Sequence, residues 1–203
     1  MPYYIRVLAE RPDPVPLSVL REDLAAGKVA GEVTLDVGSE EDWEQVLLRD
    51  ETGEEVALVE RNGVTPGSLA EAELAEFAEV MPESQPVTGA QWLLKYFPIV
   101  QAIYAFQLLL WGLDQANGWQ VVWTVQRGLK ERLGGIFQAD GEGFSNPEGY
   151  HILWQFSEDA EGKWSMAILN DQDEWVPFEM DLGNRAHREA FRSGRIPEGA
   201  KRW

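Results

Sequence analysis

Apolar and polar positions alternate with two different periods along this chain, and those periods predict its elements. Residues 3–10, "YYIRVLAE", mix aromatic and β-branched side chains and stop at "RPDPVP", which predicts a strand. Leu17, Leu20 and Leu24 recur at helical spacing, and Gly27 stands where that helix would stop. Val33, Leu35 and Val37 alternate with Glu32, Thr34 and Asp36, as in a half-buried strand. Residues 42–63 form two apolar runs around "DETGE". Ser39 and Asp42 would also suit a helix start, but the valines and the glycine-bearing connection favour a hairpin. Ser68 and Glu71 make a capping box for a helix over 67–83. Its Leu69, Ala72, Phe77 and Val80 lie near one face and Glu73, Glu76 and Glu79 on the other, and Pro82 ends it.

A second capping pair, Thr88 and Gln91, precedes "WLLKYFPIVQAIYAFQLLLWGLDQ". Ile99, Ile103, Phe106, Leu110 and Leu113 follow a 4-3-4-3 spacing interrupted only by Gln101 and Gln107. This predicts a long helix nearly surrounded by protein, kinked or restarted at Pro98. Lys95, Pro98 and the two glutamines, with no basic flank, argue against a membrane span. Trp119, Val122, Val125, Leu129 and Leu133 mark an amphipathic helix docked on it. From Ile136 the period becomes two. Tyr150, Ile152, Trp154 and Phe156 alternate with His151, Leu153 and Gln155, two further strands follow over 163–170 and 174–183, and Asn184 caps a closing helix.

The expected fold is therefore α+β, with antiparallel sheets from the N- and C-terminal halves packed on a central, largely buried helical hairpin. One compact domain, 1–203, is expected to have two lobes. Residues 1–83 form an acidic β-α-β-β-β-α lobe and residues 84–203 an α-α-β-β-β-β-α lobe, joined at "PESQPVTG".

Composition adds exclusions. The 203 residues are 44% hydrophobic and 26% charged, an ordinary globular balance. There is no cysteine, which removes disulfides, thiolate metal sites and thiol nucleophiles. The first residues lack a basic start followed by an apolar stretch, so a cytoplasmic location is expected. The net charge of −18 is uneven: residues 1–90 hold 6 basic and 20 acidic groups, net −14. Such a field repels nucleic acid and anionic membranes and favours a basic protein partner, although solubility alone also accounts for it.

The densest candidate chemistry lies in "FQADGEGFSNPEGYHILWQF", residues 137–156. Asp140, Glu142 and His151 could form an acid/base or ion site beside the aromatic residues. The calcium-loop pattern fails there, because Phe144, Ser145 and His151 occupy its fifth, sixth and twelfth positions. No P-loop, nucleophile elbow or zinc-hydrolase motif is present, and no cofactor is implied. The glycines and "NPEG" are equally explained by turns. Arg185, Arg188, Arg192, Arg195, Lys201 and Arg202 form the one basic stretch, which suits pairing with the acidic surplus of the chain itself. The pattern points away from an enzyme, towards a non-enzymatic inhibitor, immunity or regulatory protein. Its acidic face (Glu40, Glu41, Asp42, Glu73, Glu76 and Glu79) would engage a basic protein. The competing expectation is a small hydrolase- or lyase-like enzyme or ligand carrier using Asp140, Glu142 and His151.

Overall fold

The computed structural model describes residues 3–113 and 116–203. Along the chain come β1 (Tyr3–Ala9), α1 (Leu17–Ala26), β2 (Glu32–Gly38), β3 (Trp43–Arg49), β4 (Glu55–Gly63), α2 (Leu69–Val80) and α3 (Val87–Tyr96). Then follow β5 (Ala102–Leu108), α4 (Leu110–Leu113), α5 (Gly118–Leu133), β6 (Ile136–Ala139) and β7 (Gly143–Phe144). The last elements are β8 (Lys163–Leu169), β9 (Trp175–Asp181), α6 (Arg185–Arg192) and β10 (Lys201–Arg202). The class is α+β with antiparallel sheets. No helix among the described residues is long and apolar enough to cross a membrane.

Two units divide the chain, and neither is continuous in sequence. The first holds the described residues up to Glu71 together with Val100–Gly135; the second holds Ala72–Ile99 and Ile136–Trp203. The 84–203 stretch read from the sequence as one lobe is thus shared, its residues 100–135 belonging with the N-terminal strands.

The reason is β5. The run expected to be one long buried helix stops at Tyr96, passes through a 3-10 turn at Phe97–Ile99, and continues as a strand. Pro98 cannot continue the α3 hydrogen-bond ladder. Beyond it, β5 lies between β4 and β1, with its residues buried apart from the half-buried Gln107. A strand covered on both faces loses the apolar/polar alternation, and its unbroken apolar run imitates a buried helix. The central helical hairpin therefore does not form; α5 is present as expected, but α4 is a single short turn.

In the first unit the strand order is β2-β3-β4-β5-β1. Helix α5 packs against β1, β3 and β4, while α1 packs against α5 and β2. The cross-strand row Val46–Val59–Phe106–Ile5 is buried, whereas the next row, Thr34–Leu47–Leu58–Gln107–Tyr4, is only half-buried. Trp43 anchors the unit: its indole N–H donates to the Val15 carbonyl at 2.7 Å, and its ring meets Tyr104 edge-on at 5.7 Å. Burial raises the Tyr104 hydroxyl pKa to about 12. The expected inward alternation of β2 fails beyond Val33: Leu35 and Val37 are 37% and 41% exposed on this edge strand, and the register shifts after Leu35 and again after Val37. Ser39 and Asp42 close a turn rather than start a helix: Ser39 N–H donates to the Asp42 carbonyl, and Asp42 N–H to the Ser39 hydroxyl.

In the second unit, β8, β9 and β10 form an antiparallel sheet over a core of Phe156, Met166, Phe178, Met180, Leu182 and Phe191. The expected strand over 150–156 does not form, and only His151 makes bridges, to Ser145 and Met166. Instead Trp154 N–H donates to the Gln85 carbonyl at 2.7 Å. Gly89 of α3 packs so close to the Ile152 carbonyl that a Cβ would overlap it. The Ser68–Glu71 box forms, with Ser68 Oγ accepting from Glu71 N–H at 3.1 Å and Glu71 reaching back to Gly67 N–H at 2.6 Å. The buried positions of α2 are Ala70 and Leu74, with Phe77 half-buried against Phe97 and Phe144; Leu69, Ala72 and Val80 of the expected face are exposed.

One turn design recurs three times. At Asp50, Asn146 and Asn170 the backbone N–H donates to the carbonyl four residues on, and the carbonyl accepts from the N–H three residues on. In each case the side-chain Oδ1 accepts the N–H of the fourth residue (Glu54, Tyr150 and Glu174). The closing position has positive φ every time: Gly53 at 86°, Gly149 at 93° and Asp173 at 59°. Two of the three thus use glycine, and the third uses aspartate.

Candidate functional site

The 137–151 segment is a hairpin with a turn attached. Gln138 and Ala139 pair with Phe144 and Gly143, Glu142 N–H donates to the Ala139 carbonyl, and Gly141 and Gly143 take φ of 73° and 107°. Asp140 accepts from the Gln138 amide at 3.5 Å. Ser145 locks the base: it donates to the Asn146 carbonyl and accepts from Phe137 N–H at 2.9 Å.

His151 is held by its backbone against β8, donating to Ser165 and accepting from Ala167. Its ring lies edge-on to Trp164 at 4.8 Å and near Phe156 at 5.6 Å. The alternation expected to separate it from the aromatic side chains is lost with the strand. Burial pushes its pKa down to about 4, and its Nδ1 has no hydrogen-bond partner. A carboxylate beside it would have raised the pKa instead. The imidazole is therefore neutral near pH 7 and set by aromatic packing, not by Asp140 or Glu142. Among the described residues no group of three or more His, Asp or Glu side chains is placed to hold a metal ion.

The expected acidic face is spread over both units. Glu40 pairs with Arg21 at 2.8 and 3.1 Å, while Arg21 Nε also donates to the Val33 carbonyl on β2. Asp42 pairs with Arg61, whose Nε binds the Trp43 carbonyl. These two carboxylates therefore tie the β2–β3 connection to α1 and β4. Glu41 is exposed and without an ion pair, as are Glu32, Asp36 and Glu44 on β2 and β3. In the second unit Glu76 and Glu79 are exposed on α2 and Glu73 is half-buried.

Three of the six basic residues of the C-terminal stretch make ion pairs within the chain. Glu158 pairs with Arg192 and, at 3.9 Å, with Arg188, while Arg185 pairs with Glu189. The hydrogen bond from Arg192 holds the Glu158 carboxyl below its ordinary range. The Arg192 guanidinium also lies 4.7 Å over Trp154.

A cavity of about 270 Å³ that sequence reasoning missed opens in the second unit. Thr88, Gln91, Trp92 and Lys95, one face of α3, form one wall; Asn170 and Asp173 of the β8–β9 turn form the other. Thr88 and Gln91 do not cap α3, whose N-terminus has no side-chain cap. Trp92 is stacked on Tyr96 at 4.8 Å and meets Trp175 edge-on at 5.4 Å. Two signals in the sequence could have pointed here. Lys95 is the one Lys or Arg between Arg61 and Arg127, and "NDQDE" repeats the "DETGE" turn with aspartate in the place of glycine. Against protein-family models, curated proteins and solved structures, the chain has no match.

Proposed function

We propose that the protein is a non-enzymatic acidic binding protein, of inhibitor, immunity or regulatory type, whose first unit engages a basic protein partner. One observation carries the reading. Glu32, Asp36, Glu41 and Glu44 are exposed on β2, β3 and their connection and make no ion pair, near the exposed Leu35 and Val37; Arg49, opposite Glu32 in the register, pairs with Glu55 instead. Carboxylates that serve folding are paired, as Glu40 and Asp42 are. Unpaired ones around solvent-facing apolar side chains suit a cationic surface with an apolar centre. The Arg21 side chain occupies the Val33 carbonyl on the outer edge of β2, so the contact runs through side chains rather than strand addition. The packing of the His151 ring against Trp164 and Phe156, with Nδ1 unpartnered, weighs against the acid/base pairing that an enzymatic reading needs.

The test is affinity capture at low salt with the parent chain and a variant carrying Glu32→Gln, Asp36→Asn, Glu41→Gln and Glu44→Gln. The parent should retain a basic protein that the variant loses. Capture of the same protein in equal yield by both, or of none by the parent, would overturn the proposal.

A further inference from the structure

We propose that the cavity between α3 and the β8–β9 turn binds a small zwitterion, an α-amino acid with an apolar or aromatic side chain. The inference is independent of the partner proposed for the first unit, since every lining residue belongs to the second.

The first argument is the turn. The same hydrogen-bonded design occurs three times, and its closing residue must adopt positive φ. Glycine meets that requirement without a steric penalty at Gly53 and Gly149. At 173 the chain instead places an aspartate at φ 59°, and this residue lines the cavity. Aspartate enters this region more readily than most residues, so the position can close the turn and still present a carboxyl group.

The second argument is the chemistry of the walls. Lys95 faces the cavity from α3 without an ion pair, and the Asp173 carboxylate likewise has no partner. Opposite charges on two walls that do not pair with each other match a ligand carrying both signs: its carboxylate on Lys95, its ammonium on Asp173. The Thr88 hydroxyl and Gln91 amide, also without protein partners, add neutral hydrogen-bonding groups. Trp92, fixed between Tyr96 and Trp175, supplies an apolar surface for the side chain. The volume of about 270 Å³ lies just below the range of about 300–1,000 Å³ typical of drug-sized ligands, which suits a single amino acid.

Titration calorimetry at neutral pH tests this with L-phenylalanine, phenethylamine and 3-phenylpropionate. L-phenylalanine should bind at least about tenfold more tightly than either singly charged analogue. Asp173→Asn, which tolerates positive φ, should weaken L-phenylalanine about tenfold and leave 3-phenylpropionate unchanged. Lys95→Gln should weaken L-phenylalanine and leave phenethylamine unchanged. Asp173→Gly should raise Tm while losing the amino acid, which separates a binding role from a folding one. The proposal is overturned if L-phenylalanine gives no heat up to about 20 mM, a limit corresponding to a free energy near −2 kcal/mol. It is equally overturned if an analogue binds as tightly, or if Asp173→Gly binds L-phenylalanine like the parent.

Discussion

His151 converts aromatic packing in the second unit into a pH dependence of defined sign. Its folded pKa is about 4 and its ordinary value 6.5, with burial as the cause. Between those values the unfolded chain binds a proton that the folded chain refuses, so stability rises with pH across the window. The contribution is fully present above pH 6.5 and is lost as pH falls towards 4. The complete shift is worth at most about 3 kcal/mol, and about 2 kcal/mol of it disappears between pH 7 and pH 5. His151→Phe keeps an aromatic ring between Phe156 and Trp164 and removes the Nδ1 that has no partner. At pH 7 the variant should be at least as stable as the parent, because an unsatisfied buried nitrogen is gone. By pH 5 its advantage should have grown by about 2 kcal/mol. Urea denaturation followed by tryptophan fluorescence at several pH values measures both chains. Asp50, Glu158 and Glu179, whose pKa values are lowered, keep their contributions above their ordinary values of 3.8 and 4.5, so they are unchanged between pH 7 and 5, and their later loss is the same in parent and variant. The reasoning is refuted if the two stability curves stay parallel from pH 7 to 5, or if the His151 resonance titrates at or above 6.5 by NMR.

Other expectations follow from the turns and the close packing. Asp50→Ala removes an acceptor shared by Thr52 N–H, Thr52 Oγ and Glu54 N–H, and should cost about 1–3 kcal/mol in urea denaturation. Asp50→Asn keeps Oδ1 and should stay near the parent at neutral pH. The hydrogen bond from Thr52 lowers the Asp50 pKa, so its contribution holds above the ordinary value of 3.8 and fades as pH falls through the lower folded value. The Asn variant should lack that acid-side loss. Gly89→Ala drives a methyl into the Ile152 carbonyl and should destabilise by about 1–3 kcal/mol, lowering Tm, whereas Gly67→Ala, with open space around it, pays only for its φ of 81°.

The elements legible in the sequence were those whose burial is one-sided. Leu17, Leu20 and Leu24 of α1, the β3–β4 and β8–β9 hairpins, the Ser68–Glu71 box and the Asn184 cap all announce themselves by period or capping. β5 did not, because Ile103, Tyr104 and Phe106 are enclosed on both faces and carry no alternation. Residues 150–156 showed the reverse fault. They alternate well, yet the chain spends its hydrogen bonds on Gln85, Ser165 and Phe144 rather than on a continuous ladder. Alternation describes side chains, whereas a strand also needs a neighbour in register. At the candidate sites, Asp140, Glu142 and His151 drew notice by proximity in sequence. Lys95 and Asp173 share a cavity although 78 positions apart, a pairing that exists only once α3 and the β8–β9 turn are folded.

The salt dependence of binding tests the central claim most directly. With the captured partner purified, its Kd for the parent chain should weaken at least about tenfold between about 50 and 300 mM salt, as screening shortens the reach of the carboxylates on β2 and β3. The variant neutralised at Glu32, Asp36, Glu41 and Glu44 should bind weakly and almost independently of salt. A parent affinity unchanged across that range would contradict the account.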